Sequence, residues 1–145
     1  DHRDLHSFPT RRSSDLIHCD TGAGTGITLY YPDRQGKKNG DTGPSPEIIE
    51  ASRKAAEAFN DSITKTLSGE LKINGIKGDS ATFIGRKQGA LTGSIYSRVP
   101  ALTVEMVYLS NKKDAEFITS PEGEALMIKA LAQAAADYIL SISKK

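Results

Sequence analysis

Residues 101–109 read Ala-Leu-Thr-Val-Glu-Met-Val-Tyr-Leu, an almost continuous apolar run interrupted by one acidic side chain. Runs of this length and composition are typical of a strand that is buried on both faces of a parallel sheet. We therefore expect a strand here, lying centrally in a sheet that is covered by helices.

Two long helices are expected on either side of this strand in the sequence. Ser45-Pro46-Glu47 combines a capping hydroxyl, a proline suited to the first helical position and an acid in the first turn, and Gly69 ends the pattern. One face of this helix is predicted to contain Ile48, Ser52, Ala55, Ala56, Phe59, Ile63 and Leu67. Ser120-Pro121 begins the second helix, whose inner side is predicted to contain Ile128, Leu131, Ala132, Ala135, Tyr138, Ile139 and Ile142.

Further strands are predicted at Ile17–Cys19, Ile27–Tyr31 and, more briefly, Ala81–Ile84, with a polar surface loop over 33–45. Strands that alternate with helices indicate an α/β fold, with a mostly parallel sheet flanked by helices. Lys77-Gly78-Asp79 is expected to be an exposed turn.

Composition limits the classes of function. The 145 residues suffice for one domain with a sizeable core, and a net charge of +1 without a basic tract argues against a dedicated nucleic-acid binder. One cysteine excludes an internal disulfide framework. No apolar run is expected to span a membrane, and no signal-peptide core is seen at the start.

The first sixteen residues, Asp-His-Arg-Asp-Leu-His-Ser-Phe-Pro-Thr-Arg-Arg-Ser-Ser-Asp-Leu, show neither helical nor strand periodicity. They match the conceptual translation of a widely used short-read sequencing adapter, so residues 1–16 are interpreted as an artefact and 17–145 as the natural domain. His2 and His6, four residues apart, then form no zinc site. One natural histidine remains, His18.

The Gly22-x-Gly24-x-Gly26 pattern could suggest dinucleotide binding. However, the spacing is not that of a dinucleotide-binding loop, and a strand is predicted where such a loop needs a helix. A flexible turn is the better interpretation.

Glu105 and His18 are the candidate functional residues. A carboxylate within a buried strand must pair, protonate or reach a cleft, and burial would raise its pKa towards the range of a general base. A structural glutamate bonded into the core remains equally open on this ground. His18, between Ile17 and Cys19, could be a ligand or a core histidine whose hydrogen bonds are satisfied.

Three segments resemble the zinc-dependent N-acetylmuramoyl-L-alanine amidases. Ile17-His18-Cys19-Asp20-Thr21 resembles the end of their Ser-Ile-His-x-Asn/Asp strand, and Gly26–Tyr31 resembles their Gly-x-x-x-Tyr-Tyr strand. Val99–Asn111 is similar to their Pro-Ala-x-Leu-Val-Glu-x-Gly-Phe-x-Ser-Asn segment, after which Asp114–Ile118 and the closing helix follow in the same order. The resemblance extends over residues 17–142.

This resemblance implies an extracytoplasmic parent enzyme that cleaves the amide between N-acetylmuramic acid and L-alanine in peptidoglycan. It implies one zinc ion held by two histidines and a glutamate, with His18 as the last of these ligands and Glu105 as the catalytic glutamate. The family's other two ligands precede the His18 motif, so 17–145 is expected to be the C-terminal part of the catalytic domain and inactive by itself.

Val107-Tyr108 replaces the family's Gly-Phe, and the stretch from Arg86 to Arg98 is longer than is typical. Two alternatives remain at this point. One is a degenerate module that binds peptidoglycan without cleaving it, and the other is an α/β zinc hydrolase of a different family.

Overall fold

The computed structural model describes residues 14–143, in which six strands and five helices build an α/β domain. The strands are β1 (Ser14–Asp20), β2 (Ile27–Tyr31), β3 (Gly36–Lys38), β4 (Asp41–Gly43), β5 (Ile73–Gly78) and β6 (Ala101–Tyr108). The helices are α1 (Pro46–Leu67), α2 (Phe83–Gln88), α3 (Thr92–Ile95), α4 (Lys112–Thr119) and α5 (Pro121–Ser143).

The main sheet has the strand order β1-β6-β2-β5. β1 is parallel to β6, β2 is parallel to β5, and the central pair β2 and β6 is antiparallel. The sheet is therefore mixed with mostly parallel pairs, and the predicted strand 101–109 lies inside it as β6. The expectation that this strand is buried on both faces of a parallel sheet is wrong, because β6 is antiparallel to β2 and its Thr103, Glu105 and Tyr108 are only half-buried.

Helix α1 follows the prediction closely. Ser45 caps it by accepting a hydrogen bond from the backbone N–H of Ile48, and Pro46 occupies the first turn. Six of the seven residues predicted for its inner face are buried, and Ile48 is half-buried at the first turn. The helix covers the face of the sheet that carries Leu29 and Val104.

Helix α5 begins at Pro121 as predicted, but its buried face matches the predicted one only in part: Tyr138 is buried, and Leu131, Ala135 and Ile142 pack half-buried against the core. Ile128 and Ile139 are 60% and 50% exposed. Apolar residues of α5 lie on all sides of the helix, so the helical periodicity of its sequence does not select one face for burial. The face with small side chains is buried because it allows close packing against α1. The buried positions are Gly123, Met127, Ala130, Ala134 and Tyr138.

The expectation that no segment is long and apolar enough to cross a membrane is wrong for α5. By length and composition alone this helix passes that test. Such a helix is weak evidence for a membrane span, because core helices of other proteins pass the same test. In this fold one face of α5 packs against α1, where the rings of Tyr138 and Phe59 lie 6.2 Å apart.

The region between α1 and β6 differs most from the prediction. No strand forms at 81–84. The strand of this region, β5, lies earlier and ends at Gly78, and a 3-10 turn at Asp79–Ala81 then leads into α2. Thr82 caps α2 by accepting a hydrogen bond from the N–H of Gly85, which is a local preference stronger than the β-propensity of Ala81–Ile84. Asp79 is 1% exposed, so the exposed turn predicted there is also wrong.

The predicted loop 33–45 contains the hairpin of β3 and β4, which packs against α2 and α3. Gly36 lies against the backbone of Gln88 and Ala90, where a Cβ atom would stand 2.6–2.7 Å from their main-chain atoms. A glycine-rich polar segment becomes ordered here because its backbone can approach its neighbours closely.

β1 begins at Ser14, three residues before the predicted start at Ile17. Ser14 is aligned with Ala101 of β6, so the strand includes the last residues of the segment interpreted as an artefact. Backbone pairing depends little on side chains, which is why it continues across that boundary. The interpretation of His2 and His6 concerns residues outside the described part of the chain.

Candidate active site

His18, Glu105 and Thr28 lie side by side on three adjacent strands. His18 of β1 is aligned with Glu105 of β6, and Glu105 is aligned with Thr28 of β2. Aligned residues on neighbouring strands project their side chains to the same face of a sheet. The two residues singled out from the sequence are therefore neighbours in the fold.

A bulge in β6 brings two further polar side chains to this face. One residue of β1 separates His18 from Asp20, whereas two residues of β6 separate Glu105 from Tyr108, the partner of Asp20. Regular alternation would place Val107 beside Glu105, but Val107 is fully buried in the core. The extra residue therefore turns Tyr108 towards Asp20 and Glu105.

Glu105 is half-buried, and its Oε2 atom is buried without a hydrogen-bond partner among the described residues. Burial raises the pKa of Glu105, the Asp20 carboxylate raises it further, and His18 acts in the opposite direction. A carboxylate with a raised pKa and a free oxygen is suited to accept a proton.

His18 is exposed on the edge of the sheet. Within residues 14–143 it is therefore not the buried core histidine that the sequence left open. Its neighbour Cys19 packs against the core, and burial followed by the charge of Glu105 raises the pKa of the Cys19 thiol.

Two tyrosines line the same face. Burial is the main cause that raises the pKa of Tyr108, with added repulsion from Asp20 and Glu105, and its hydroxyl lies close to Asp20 and Thr28. Burial is also the main cause that raises the pKa of Tyr30, and Tyr108, Asp20 and Glu105 raise it further. Both phenols therefore remain protonated near neutral pH.

The Gly22-x-Gly24-x-Gly26 segment forms the turn between β1 and β2, and the strand that follows it confirms that it is not a dinucleotide-binding loop. Gly22 donates its N–H to the Ser110 hydroxyl, and that hydroxyl donates to the Gly22 carbonyl. Gly24 lies directly under the Tyr108 ring. The turn is therefore fastened to the end of β6.

The described residues do not by themselves form a metal site. In the part of the chain that the structure describes, no group of three or more histidine, cysteine, aspartate or glutamate side chains could hold a metal ion. A zinc site needs three or four such ligands, so His18 would need additional ligands.

A surface cavity of about 450 Å³ lies at the other end of the sheet, between β4, the beginning of α1 and the segment around Arg98. Its lining contains neither His18 nor Glu105. The candidate active site is therefore separate from this cavity.

Sequence reasoning named His18 and Glu105 but did not assign roles to Asp20, Thr28 or Asp114. Asp20 could have been noticed from its position two residues after His18 on the same strand. The position of Thr28 beside Glu105 depends on strand register. Asp114, in the first turn of α4, contacts Gly26 in a turn 88 residues away, and no local pattern reveals either arrangement.

Comparison with known proteins identifies the family. The family profile described as N-acetylmuramoyl-L-alanine amidase matches residues 16–137. No curated protein matches the chain significantly.

Solved structures of several amidases resemble the fold. The N-acetylmuramyl-L-alanine amidase Ami1 from Mycobacterium smegmatis superposes with a TM-score of 0.69 at 19% identity, covering 90% of this chain and 55% of that one. Ami1 from Mycobacterium abscessus gives 0.67 at 23% identity, covering 88% and 55%. The N-acetylmuramoyl-L-alanine amidase from Clostridium difficile 630 gives 0.66 at 16% identity, covering 90% and 59%.

At these identities the structural likeness concerns the fold, and the chain spans little more than half the length of each of these proteins. The family profile, in contrast, extends over most of the sequence, including the strands that carry His18 and Glu105. The chain therefore belongs to the N-acetylmuramoyl-L-alanine amidase family.

Proposed function

We propose that the protein containing this chain cleaves the amide bond between N-acetylmuramic acid and the L-alanine of the peptidoglycan stem peptide, with Glu105 as general base. The observation that carries the proposal is the alignment of Glu105 with His18, together with the buried and unpartnered Oε2 atom of Glu105. Family membership supports the reaction type.

Glu105 is positioned to handle the proton that this hydrolysis must move. Its raised pKa allows the carboxylate to accept a proton from the attacking water and to return it to the nitrogen of the leaving amine. The oxygen of the attacking water forms a bond to the carbonyl carbon, and the carbon–nitrogen bond then breaks. The products are a carboxylic acid and the free amine of L-alanine.

His18 is proposed as one ligand of the zinc ion that the family resemblance implies. Zinc would polarise the amide carbonyl and acidify the attacking water. The described residues fit only part of such a site, because three protein ligands are required and His18 is the one histidine among them. We therefore propose that residues 17–145 alone do not cleave peptidoglycan.

Peptidoglycan lies outside the cytoplasmic membrane, so we propose an extracytoplasmic location for the parent protein. The proposed partner is peptidoglycan or a muropeptide. We propose no nucleic-acid partner. We also propose no membrane span, because one face of α5 packs against α1.

The test uses protein expressed from the full open reading frame that contains this sequence. Glu105→Gln preserves the volume and the hydrogen-bonding reach of the side chain but cannot take up the proton. Release of stem peptide from purified peptidoglycan should fall about 100- to 10,000-fold, while the zinc content and the melting temperature change little. Glu116→Gln, on the exposed surface of α4, is the matched control and should cleave normally.

Cleavage by Glu105→Gln at close to the unmodified rate would show that Glu105 is a structural carboxylate. If the unmodified protein binds peptidoglycan but releases no stem peptide, the proposed hydrolysis is wrong and a binding module replaces it.

A further inference from the structure

A buried aspartate connects the strand ends around the candidate active site. Asp114 lies in the first turn of α4 and is 2% exposed. Asn111 caps that helix and accepts hydrogen bonds from the N–H groups of Lys113 and Asp114, which orients the first turn towards the sheet. A carboxylate so deeply buried must be compensated by hydrogen bonds.

Asp114 accepts three hydrogen bonds, two from a distant turn and one from the end of the neighbouring strand β6. Its Oδ1 accepts from the hydroxyl of Thr25 at 2.7 Å. Its Oδ2 accepts from the N–H of Gly26 at 2.7 Å and from the N–H of Tyr108 at 2.9 Å. Both oxygens are therefore used, and no ion pair to Asp114 is found among the described residues.

Two of the three donors, the backbone N–H groups of Tyr108 and Gly26, lie at positions that shape the candidate active site. Tyr108 is the residue that the bulge in β6 turns away from regular alternation, and a bulge leaves backbone groups without a ladder partner. Gly26 immediately precedes β2, the strand that places Thr28 beside Glu105. Asp114 thus ties the end of β6 to the beginning of β2.

We infer that Asp114 is a positioning residue for the amidase reaction: it holds the bulge of β6, and with it the placement of Glu105 and Tyr108 beside His18. This inference rests on the proposed function for its catalytic consequence. Asp114 itself lies behind the strand ends and acts through the backbone of Tyr108 and Gly26.

Without Asp114 the N–H groups of Tyr108 and Gly26 would be buried without acceptors. The end of β6 could relieve this by returning to regular alternation, which would move Tyr108 away from Asp20 and Glu105. Displacements of about 1 Å at reacting groups cost about 100-fold in rate when geometry is lost. Core packing between α1 and α5 does not depend on these hydrogen bonds.

The experiment compares Asp114→Ala with Asp114→Asn in the protein from the full open reading frame. Asparagine keeps an oxygen for the two N–H groups, and its amide can donate to the Thr25 hydroxyl, so we expect near-normal cleavage. Alanine removes all three acceptor contacts, and we expect kcat to fall about 10- to 100-fold with little change in KM. Glu116→Ala, an exposed carboxylate on the same helix, is the matched control.

Amide hydrogen exchange separates positioning from general loss of structure. In Asp114→Ala the amides of Tyr108 and Gly26 should lose protection, while amides of α1 keep theirs. If Asp114→Ala does not fold, Asp114→Ser takes its place, since it shortens the side chain but keeps a small polar group.

An alanine variant with unchanged kcat and unchanged Tyr108 protection would overturn the inference. Equal loss of protection in α1 and at Tyr108, without rescue by asparagine, would also overturn it by showing a merely structural role. If the unmodified protein does not cleave peptidoglycan, the proposed function fails, but the exchange measurement at Tyr108 still decides whether Asp114 holds the bulge.

Discussion

Substituting Gly24 by alanine should disturb the candidate active site through one identifiable contact. A Cβ atom at position 24 would stand 2.2 Å from Cζ and 2.3 Å from Cε1 of Tyr108. Ordinary contact begins at 3.4 Å, so the ring or the turn must shift by about 1.2 Å. The backbone of Gly24 does not have a positive φ, and alanine is therefore penalised by this contact and not by its own conformation.

The expected cost follows from the two ways of relieving the overlap. If the turn moves, overpacking of this kind costs about 1–3 kcal/mol. If the Tyr108 ring rotates outwards, it loses its contacts with Asp20 and Thr28, which are worth about 0.5–1.5 kcal/mol each. Both routes predict a loss of about 1–3 kcal/mol in the free energy of unfolding.

Urea unfolding followed by circular dichroism measures this loss. With a slope of about 1–3 kcal/mol per molar urea, the midpoint should fall by about 1 M. Gly93→Ala is the control, because nothing lies within 4 Å of a Cβ atom there and its φ is not positive. It should leave the midpoint unchanged or raise it slightly.

The double variant Gly24→Ala/Tyr108→Ala tests the assigned cause. Removing the ring makes room for the new methyl group, so the two changes together should cost clearly less than the sum of each alone. Strict additivity, or a midpoint for Gly24→Ala equal to that of Gly93→Ala, would refute the contact between the turn and Tyr108.

Three further predictions address the buried Asp79, the proposed zinc ligand His18 and the first sixteen residues. Burial raises the pKa of Asp79, against opposing hydrogen bonds from Ser94 and Leu91, so its protonated form adds stability at acidic pH that is lost as pH rises through the folded-state pKa. Asp79→Asn, which cannot ionise, should therefore be more stable than the unmodified chain near neutral pH and gain nothing at strongly acidic pH; equal urea midpoints at neutral pH would contradict this. In the full-length protein, His18→Ala should lower zinc content and cleavage together, as measured by metal analysis beside peptide release, and normal zinc content would remove His18 from the ligand set. Raw nucleotide reads should show an adapter junction at Leu16, and independent reads that continue upstream while still encoding residues 1–16 would contradict the artefact interpretation.

Local chemistry explains why much of the fold could be predicted. Ser45, Pro46 and the spacing of apolar residues define α1, because capping and helical periodicity act within a few residues. The apolar run from Ala101 to Tyr108 likewise predicts a central strand. Glu105 and His18 could be singled out because an ionisable side chain in an apolar strand requires an explanation.

Features that depend on contacts between distant segments of the chain could not be predicted in this way. The buried face of α5 depends on how closely its alanines approach α1, and apolar residues on all sides of that helix leave the choice open. The hairpin within 33–45 is ordered by contact with α2 and α3, since its own sequence is polar and glycine-rich. Neither preference exists until the partner element is in place.

The same division applies to the candidate active site. Sequence alone singled out the candidate side chains, Glu105 and His18, and the family that the chain resembles. Tertiary structure alone decided that the two are aligned on adjacent strands, that a bulge turns Tyr108 towards them, and that Asp114 supplies the acceptor for that bulge. The reason is physical: residue type and periodicity act locally, whereas strand register and the burial of a carboxylate arise only when segments about ninety residues apart meet.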